Sequence, residues 1–149
     1  MFRSRDDKLE VLLVHPGGPF WKNKDQRAWT IPKGEVGEKE DLLTRARTEF
    51  EEELGLTPSA ETWIKLGDVK QKGGKIVHAW AFAGDLPLDF KIRSNTFEME
   101  WPPRSGHKQA FPEIDRAEFF PIEEAKQKIN PAQILLLDRL SEKLALQNP

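Results

Sequence analysis

Glu49, Glu52 and Glu53 lie three and four residues apart, Glu51 sits among them, and no lysine or arginine separates them. On a helix these three positions share one sector of roughly 100°. Like charges at such spacings repel, each pair by about 0.2–0.5 kcal/mol, so a cation is needed to offset them. Carboxylate oxygens gathered without histidine or cysteine suit a hard divalent ion, Mg²⁺ or Mn²⁺, which takes one or two protein carboxylates and leaves room for water and a substrate phosphate. The plainer alternative is a solvated helix face.

The same stretch supplies an element to position them. Leu43, Ala46, Phe50 and Leu54 recur at steps of three and four, which predicts a helix over residues 41–54 with one buried face, and Glu53 falls nearest its apolar edge. Gly55 is placed to end the helix, and Pro58 prevents its continuation. Ahead of it, an apolar run at 28–31 meets Pro32-Lys33-Gly34-Glu35, where Gly34 and Gly37 allow the tight turns that bring a backbone carbonyl toward the carboxylates.

Gly34, five residues, Glu40, seven residues, then Thr48-Glu49-Phe50-Glu51-Glu52-Glu53-Leu54-Gly55-Leu56 resembles the signature of the Nudix hydrolases, Gly-x5-Glu-x7-Arg-Glu-U-x-Glu-Glu-x-Gly-U with U apolar. Thr48 stands where that signature has arginine, and every other specified position matches. The resemblance implies an α/β/α sandwich with a mixed β-sheet. It also implies cleavage of a pyrophosphate linkage in a nucleoside diphosphate derivative, with divalent ions held by Glu49, Glu52, Glu53 and the Gly34 carbonyl. A distal carboxylate commonly completes such sites or acts as base. Glu113 is the first choice, with Asp115 and Glu100 in reserve, and Glu52 or Glu53 could equally take the proton. Lys33 is placed to bind a substrate phosphate as a point charge. Without its arginine the box could also serve a module that binds a nucleotide or sugar nucleotide and does not hydrolyse it. The three retained glutamates favour the hydrolase.

With 149 residues, the chain is expected to form one domain over 1–149. A formal net charge of −2 offers no footprint for a nucleic-acid backbone, which points to a small nucleotide as partner. The sequence lacks cysteine, and neither a membrane-length apolar run nor the apolar core of a signal peptide is present, so cytoplasmic residence is the expectation. Residues 8–15 read as a central strand, leaving only 1–4 for a strand before it. Phe20 and Trp21 open a polar loop. Strands are predicted at 63–69 and 75–83 about a turn at 70–74; in the second, Ile76, His78, Trp80 and Phe82 share one face, and His78 reads as a packed or sheet-facing histidine. A strand at 96–101 precedes an irregular loop in which Arg104, His107 and Lys108 could bind phosphate. Trp21, Trp29 and Trp101 could offer stacking surfaces to a base, which favours a nucleoside or dinucleoside polyphosphate. Asn130-Pro131 starts a final helix with an apolar stripe of Ile134, Leu137, Leu140 and Leu144.

Overall fold

The computed structural model describes residues 1–33 and 41–147. The apolar run at the start of the chain forms β2 (Lys8–Pro16), buried continuously from Val11 to His15. A strand so buried belongs in the middle of a sheet. It is flanked by antiparallel β1 (Phe2–Arg5) on one side and β7 (Ile114–Pro121) on the other. The β1 strand has four residues, and Asp6 and Asp7, both at positive φ, turn the chain back into β2. The hairpin of β3 (Ile64–Lys70) and β4 (Ile76–Ala81) joins the edge of β1 through a parallel bridge between Phe2 and Ala83, which makes the combined sheet mixed.

Side chains alternate across a strand, so β2 feeds two cores. Val11 and Leu13 enter one with Trp29, Phe120, Leu136, Leu137 and Leu140; Leu12 and Val14 enter the other with Phe50, Leu54, Phe82 and Ile114. The first is covered by α2 (Ile122–Lys128) and α3 (Ile134–Gln147), and the second by α1 (Leu42–Leu54). Helices on both faces of a mixed sheet give the α/β/α sandwich. The final helix is preceded by a single 3₁₀ turn, Pro131–Gln133, which Asn130 caps by accepting from the Ala132 N–H.

α1 has defined ends. The Asp41 side chain accepts from the Thr44 N–H, and Gly55 adopts the left-handed conformation (φ 70°) while its N–H bonds the Glu51 carbonyl. The loop expected after residue 101 is instead the turn of a hairpin. β5 (Thr96–Glu100) pairs with β6 (Lys108–Pro112), Glu100 opposite Lys108 and Thr96 opposite Pro112. Pro102 and Pro103 end β5 as expected, but residues 108–112 carry too little apolar alternation to announce a second strand.

The ladder between β2 and β7 shifts register between His15 and Pro16, and just beyond it the Gly17 N–H bonds the Glu113 carbonyl at 2.8 Å. A Cβ at Gly17 would lie 2.0 Å from the Pro112 carbonyl oxygen, so two backbones approach where only glycine fits. Gly17→Ala should therefore lower stability by roughly 1–3 kcal/mol. Urea denaturation checks this, and an unchanged midpoint would refute the close approach.

Candidate functional site

Phe50 and Leu54 anchor α1 in the core, and this fixes the rotation of the helix. Glu49 and Glu53, one position before each, are drawn in with them to 8% and 7% exposure, while Glu52 stays half-exposed and Glu51 faces solvent. Glu53 Oε2 accepts the Lys33 backbone N–H at 3.2 Å. Glu49 accepts from the Arg45 guanidinium one turn earlier, and the same guanidinium lies 3.7 Å from Glu52 Oε2. Arg47 instead lies over the Trp63 ring, 5.4 Å from its centroid, and Thr48 donates its hydroxyl to the Thr44 carbonyl. The two arginines thus serve opposite edges of the helix.

Glu113 arrives from another part of the chain, at the junction of β6 and β7. Its backbone is pinned by donation to the Asn95 carbonyl and acceptance from Gly17, and its side chain is exposed. The Glu113 charge reaches both buried glutamates. Burial pushes the Glu53 carboxyl up to about 8, the charges of Glu49 and Glu113 add to the rise, and the Lys33 N–H and ammonium oppose it. Glu49 is raised in the same sense by burial, with Glu52 and Glu113 adding to it and Arg45 acting against it.

Among the described residues no three histidine, cysteine, aspartate or glutamate side chains gather tightly enough to grip one ion. Glu49 and Glu52 are turned to Arg45, and Glu53 to the Lys33 backbone, so the helix sector they share is divided between two partners. The chemistry of the donor set nevertheless fits a hard divalent cation. It consists of carboxylate oxygens, two of the groups are buried, and neighbouring carboxylate charges add to the rise in proton affinity of both. Gly34, the expected backbone ligand, lies outside the described residues, as do Glu40 and the other box residues before Asp41.

Two cavities border these carboxylates. One, of about 420 Å³, is an aromatic cleft in which Phe20, Trp21, Phe97 and Met99 face Glu113. Trp21 is 40% exposed there, with the Lys24 ammonium 5.0 Å from its ring centroid. Trp101 does not line this cleft but packs edge-on against Phe20. Arg104 lies in the β5–β6 turn, roughly 13 Å of strand away from the end that adjoins Glu113, and is not brought to the carboxylates. The other cavity, of about 550 Å³, has Lys33 and Glu49 among its lining residues and opens toward the β3–β4 hairpin.

Two readings of single residues are corrected. Trp29 is no stacking platform: it is 1% exposed, packed against His15 and Phe120, with its indole N–H donated to Asp25. The reserve acids also have other partners, since Glu100 accepts the Gly106 N–H and Asp115 bonds His15. His15 itself was missed by sequence reasoning. Fully buried in β2, it contacts Asp115 through Nδ1 at 2.7 Å and the Lys24 carbonyl through Nε2 at 2.6 Å, tying the loop that carries Phe20 and Trp21 to the strand that follows Glu113. A polar residue ending an otherwise apolar strand was the available signal.

A mixed sheet between helices, with helix carboxylates facing a cleft, defines an α/β protein built around an acidic site. The model of the NUDIX domain matches residues 1–140, and the chain belongs to the Nudix family. The RNA pyrophosphohydrolase of Caulobacter vibrioides is 32% identical over 93 residues, 56% of this chain and 54% of that protein, so the match spans about half of the relative's length. The crystal structure of a C. elegans Ap4A hydrolase binary complex aligns with a TM-score of 0.65 at 24% identity, covering 97% of this chain and 92% of that one. The NUDIX domain of Shewanella oneidensis NrtR complexed with ADP ribose aligns at 0.58 and 18% identity, covering 96% and 82%. These likenesses show the Nudix fold.

The raised Glu53 carboxyl has a consequence for stability. Between its ordinary value of 4.5 and about 8 the native state keeps a proton that the unfolded chain has released. Stability in a metal chelator should therefore fall as pH rises through that window, and Glu49 contributes with the same sign. Glu53→Gln should flatten the slope and raise the urea midpoint more at about pH 8 than at about pH 5. A midpoint that climbs with pH in the unmodified protein would contradict the burial of this carboxyl.

Arg45, rather than Arg47, braces the glutamates. Arg45→Ala should lower activity at least about tenfold more than Arg47→Ala. Open space of about 320 Å³ bordered by Asp41, Thr44, Arg45 and Thr48 leaves room for Thr48→Arg, which should keep or raise turnover. Equal, small losses for both alanine variants, with a strong loss for Thr48→Arg, would show that the support lies elsewhere.

Proposed function

We propose that the protein is a divalent-metal-dependent pyrophosphohydrolase that cleaves a nucleoside or dinucleoside polyphosphate. The observation that carries this reading is the burial of Glu49 and Glu53 on one edge of α1, with Glu113 of the β6–β7 junction near enough for its charge to act on both. Repelling carboxylates beside a cleft are of little use to a binding module and of direct use in holding a cation. Glu49, Glu52 and Glu53, with the Gly34 carbonyl, would hold Mg²⁺ or Mn²⁺. Such an ion, when bound, neutralises phosphate oxygens and acidifies water.

The chain's own groups divide the remaining tasks. The Lys33 ammonium meets a phosphate oxygen as a point charge, and its backbone N–H keeps Glu53 turned toward the same place. Trp21 and Phe20 provide ring faces for a base in the aromatic cleft. Glu49 and Glu52 are engaged by Arg45 and Glu53 by Lys33, whereas Glu113 is exposed in the wall of the aromatic cleft, so Glu113 is the carboxylate with access to an attacking water. In the reaction, the water oxygen bonds to phosphorus and its proton passes to Glu113. The bridging P–O bond breaks, and its electron pair leaves with the departing phosphate. The names of the relatives, an RNA pyrophosphohydrolase and an Ap4A hydrolase, agree with this class. A nucleotide-binding module remains the rival, favoured by Thr48 in place of the box arginine.

Release of phosphate or nucleotide from a panel of nucleoside and dinucleoside polyphosphates with Mg²⁺ tests the reading, and no turnover of any member would overturn it. Glu52→Gln and Glu53→Gln should each lower turnover at least about a hundredfold with the fold intact, and activity should rise from mildly acidic toward alkaline pH. Glu113→Gln should lower kcat more than it raises the metal concentration needed for half-activity; the reverse would make Glu113 a ligand rather than the base.

A further inference from the structure

The cavity on the far side of the carboxylates has a chemistry unlike that of the aromatic cleft. Its approximately 550 Å³ lie between the first turns of α1 and the β3–β4 hairpin, within the usual volume of a small-molecule site. Lys33, Arg45 and Lys75 supply cations, Glu49 is the carboxylate of its lining, and His78 and Trp80 supply rings. His78 and Trp80 share one face of β4 with Ile76, which is 59% exposed, and α1 packs against that strand. The Asp68 carboxylate stands 4.0 Å from His78 on the neighbouring strand. Cations and ring faces around one hollow match a phosphorylated nucleoside: the phosphates meet the ammonium groups, and the base lies on a ring.

The position of the hollow matters as much as its lining. Glu49 belongs to its wall and Glu113 to the wall of the aromatic cleft, and Glu113 lies near enough for its charge to act on Glu49. The carboxylates therefore stand between two hollows, one aromatic and one cationic. A substrate cleaved at the carboxylates can extend into both only if each side of its anhydride bears a bulky group.

We propose that the Lys33–Lys75–His78 hollow is a second nucleotide subsite, which holds the distal phosphates and second nucleoside of a dinucleoside polyphosphate. This assignment rests on the pyrophosphohydrolase reading for its reaction, though not for its binding. A nucleoside triphosphate, which has one nucleoside, fills one side only.

The test compares diadenosine tetraphosphate with ATP by calorimetry in a metal chelator, and by kcat and KM with Mg²⁺, for the unmodified protein and for Lys75→Glu and His78→Ala. Circular dichroism confirms the fold of each variant. Lys75→Glu should weaken diadenosine tetraphosphate at least about tenfold and ATP less than about threefold, with the hydrolytic loss in KM rather than kcat. His78→Ala, which removes a ring, should weaken the dinucleotide in the same sense. Equal weakening of both nucleotides, or no weakening by a folded Lys75→Glu, overturns the subsite. So does selective weakening of a 5′-triphosphorylated oligoribonucleotide with diadenosine tetraphosphate unaffected, since a polymer end would then occupy the hollow. If the binding difference persists while no nucleotide is turned over, the hydrolase reading fails and the subsite stands.

Discussion

The anchoring of Phe50 and Leu54 in the core under α1 is the constraint from which the site follows. Each of these side chains stabilises the fold by about 1.5–3 kcal/mol when buried, enough to hold the helix at one rotation. With that rotation set, Glu49 and Glu53 are largely withdrawn from water, because each precedes a buried anchor and shares the edge of its face. Burial penalises their charged forms, and the structure answers with the Arg45 guanidinium on one and the Lys33 N–H on the other. Core packing thus places two carboxylates where a cation is favoured.

The third carboxylate depends on a different contact. Glu113 reaches the helix side because the β2–β7 ladder shifts register after His15 and Gly17 runs against Pro112 without a side chain to keep it away. Beneath this crossing His15 joins Asp115 to the Lys24 carbonyl. Contacts at both ring nitrogens hold the aromatic loop at a fixed distance from the strand that follows Glu113. The cleft owes its two walls to this polar tie as much as to apolar packing.

Thr48 stands where the family's signature has arginine, and the guanidinium contacts to the glutamates come from another position on the helix. Thr48 turns its hydroxyl back to the Thr44 carbonyl and carries no charge, while Arg45, one turn earlier on the same edge, reaches Glu49 and Glu52. The spacing of i and i+4 gives a guanidinium the reach for this, and its planar fork meets two carboxylates at once. Arg47 lies on the other edge, over Trp63, and is excluded by geometry alone.

The sequence by itself determined the local elements. Period-3.6 apolar positions set α1 and its ends, the unbroken run at 11–14 set the central strand, and Glu49 and Glu53 lay at the helix edge because helical geometry is the same in every protein. The box motif carried the family. What only the tertiary structure decided were the meetings of distant residues. Glu113 beside the α1 glutamates, His15 between Asp115 and Lys24, the burial of Trp29 away from any ligand, and the pairing of Lys108–Pro112 with β5 each join segments far apart in the chain. Periodicity reports which face of an element is apolar but not what that face meets, and a lone tryptophan reads alike whether it covers the core or a cleft. Those outcomes were set by sheet register and by close backbone approach at glycine, which act between segments and leave no local pattern in either.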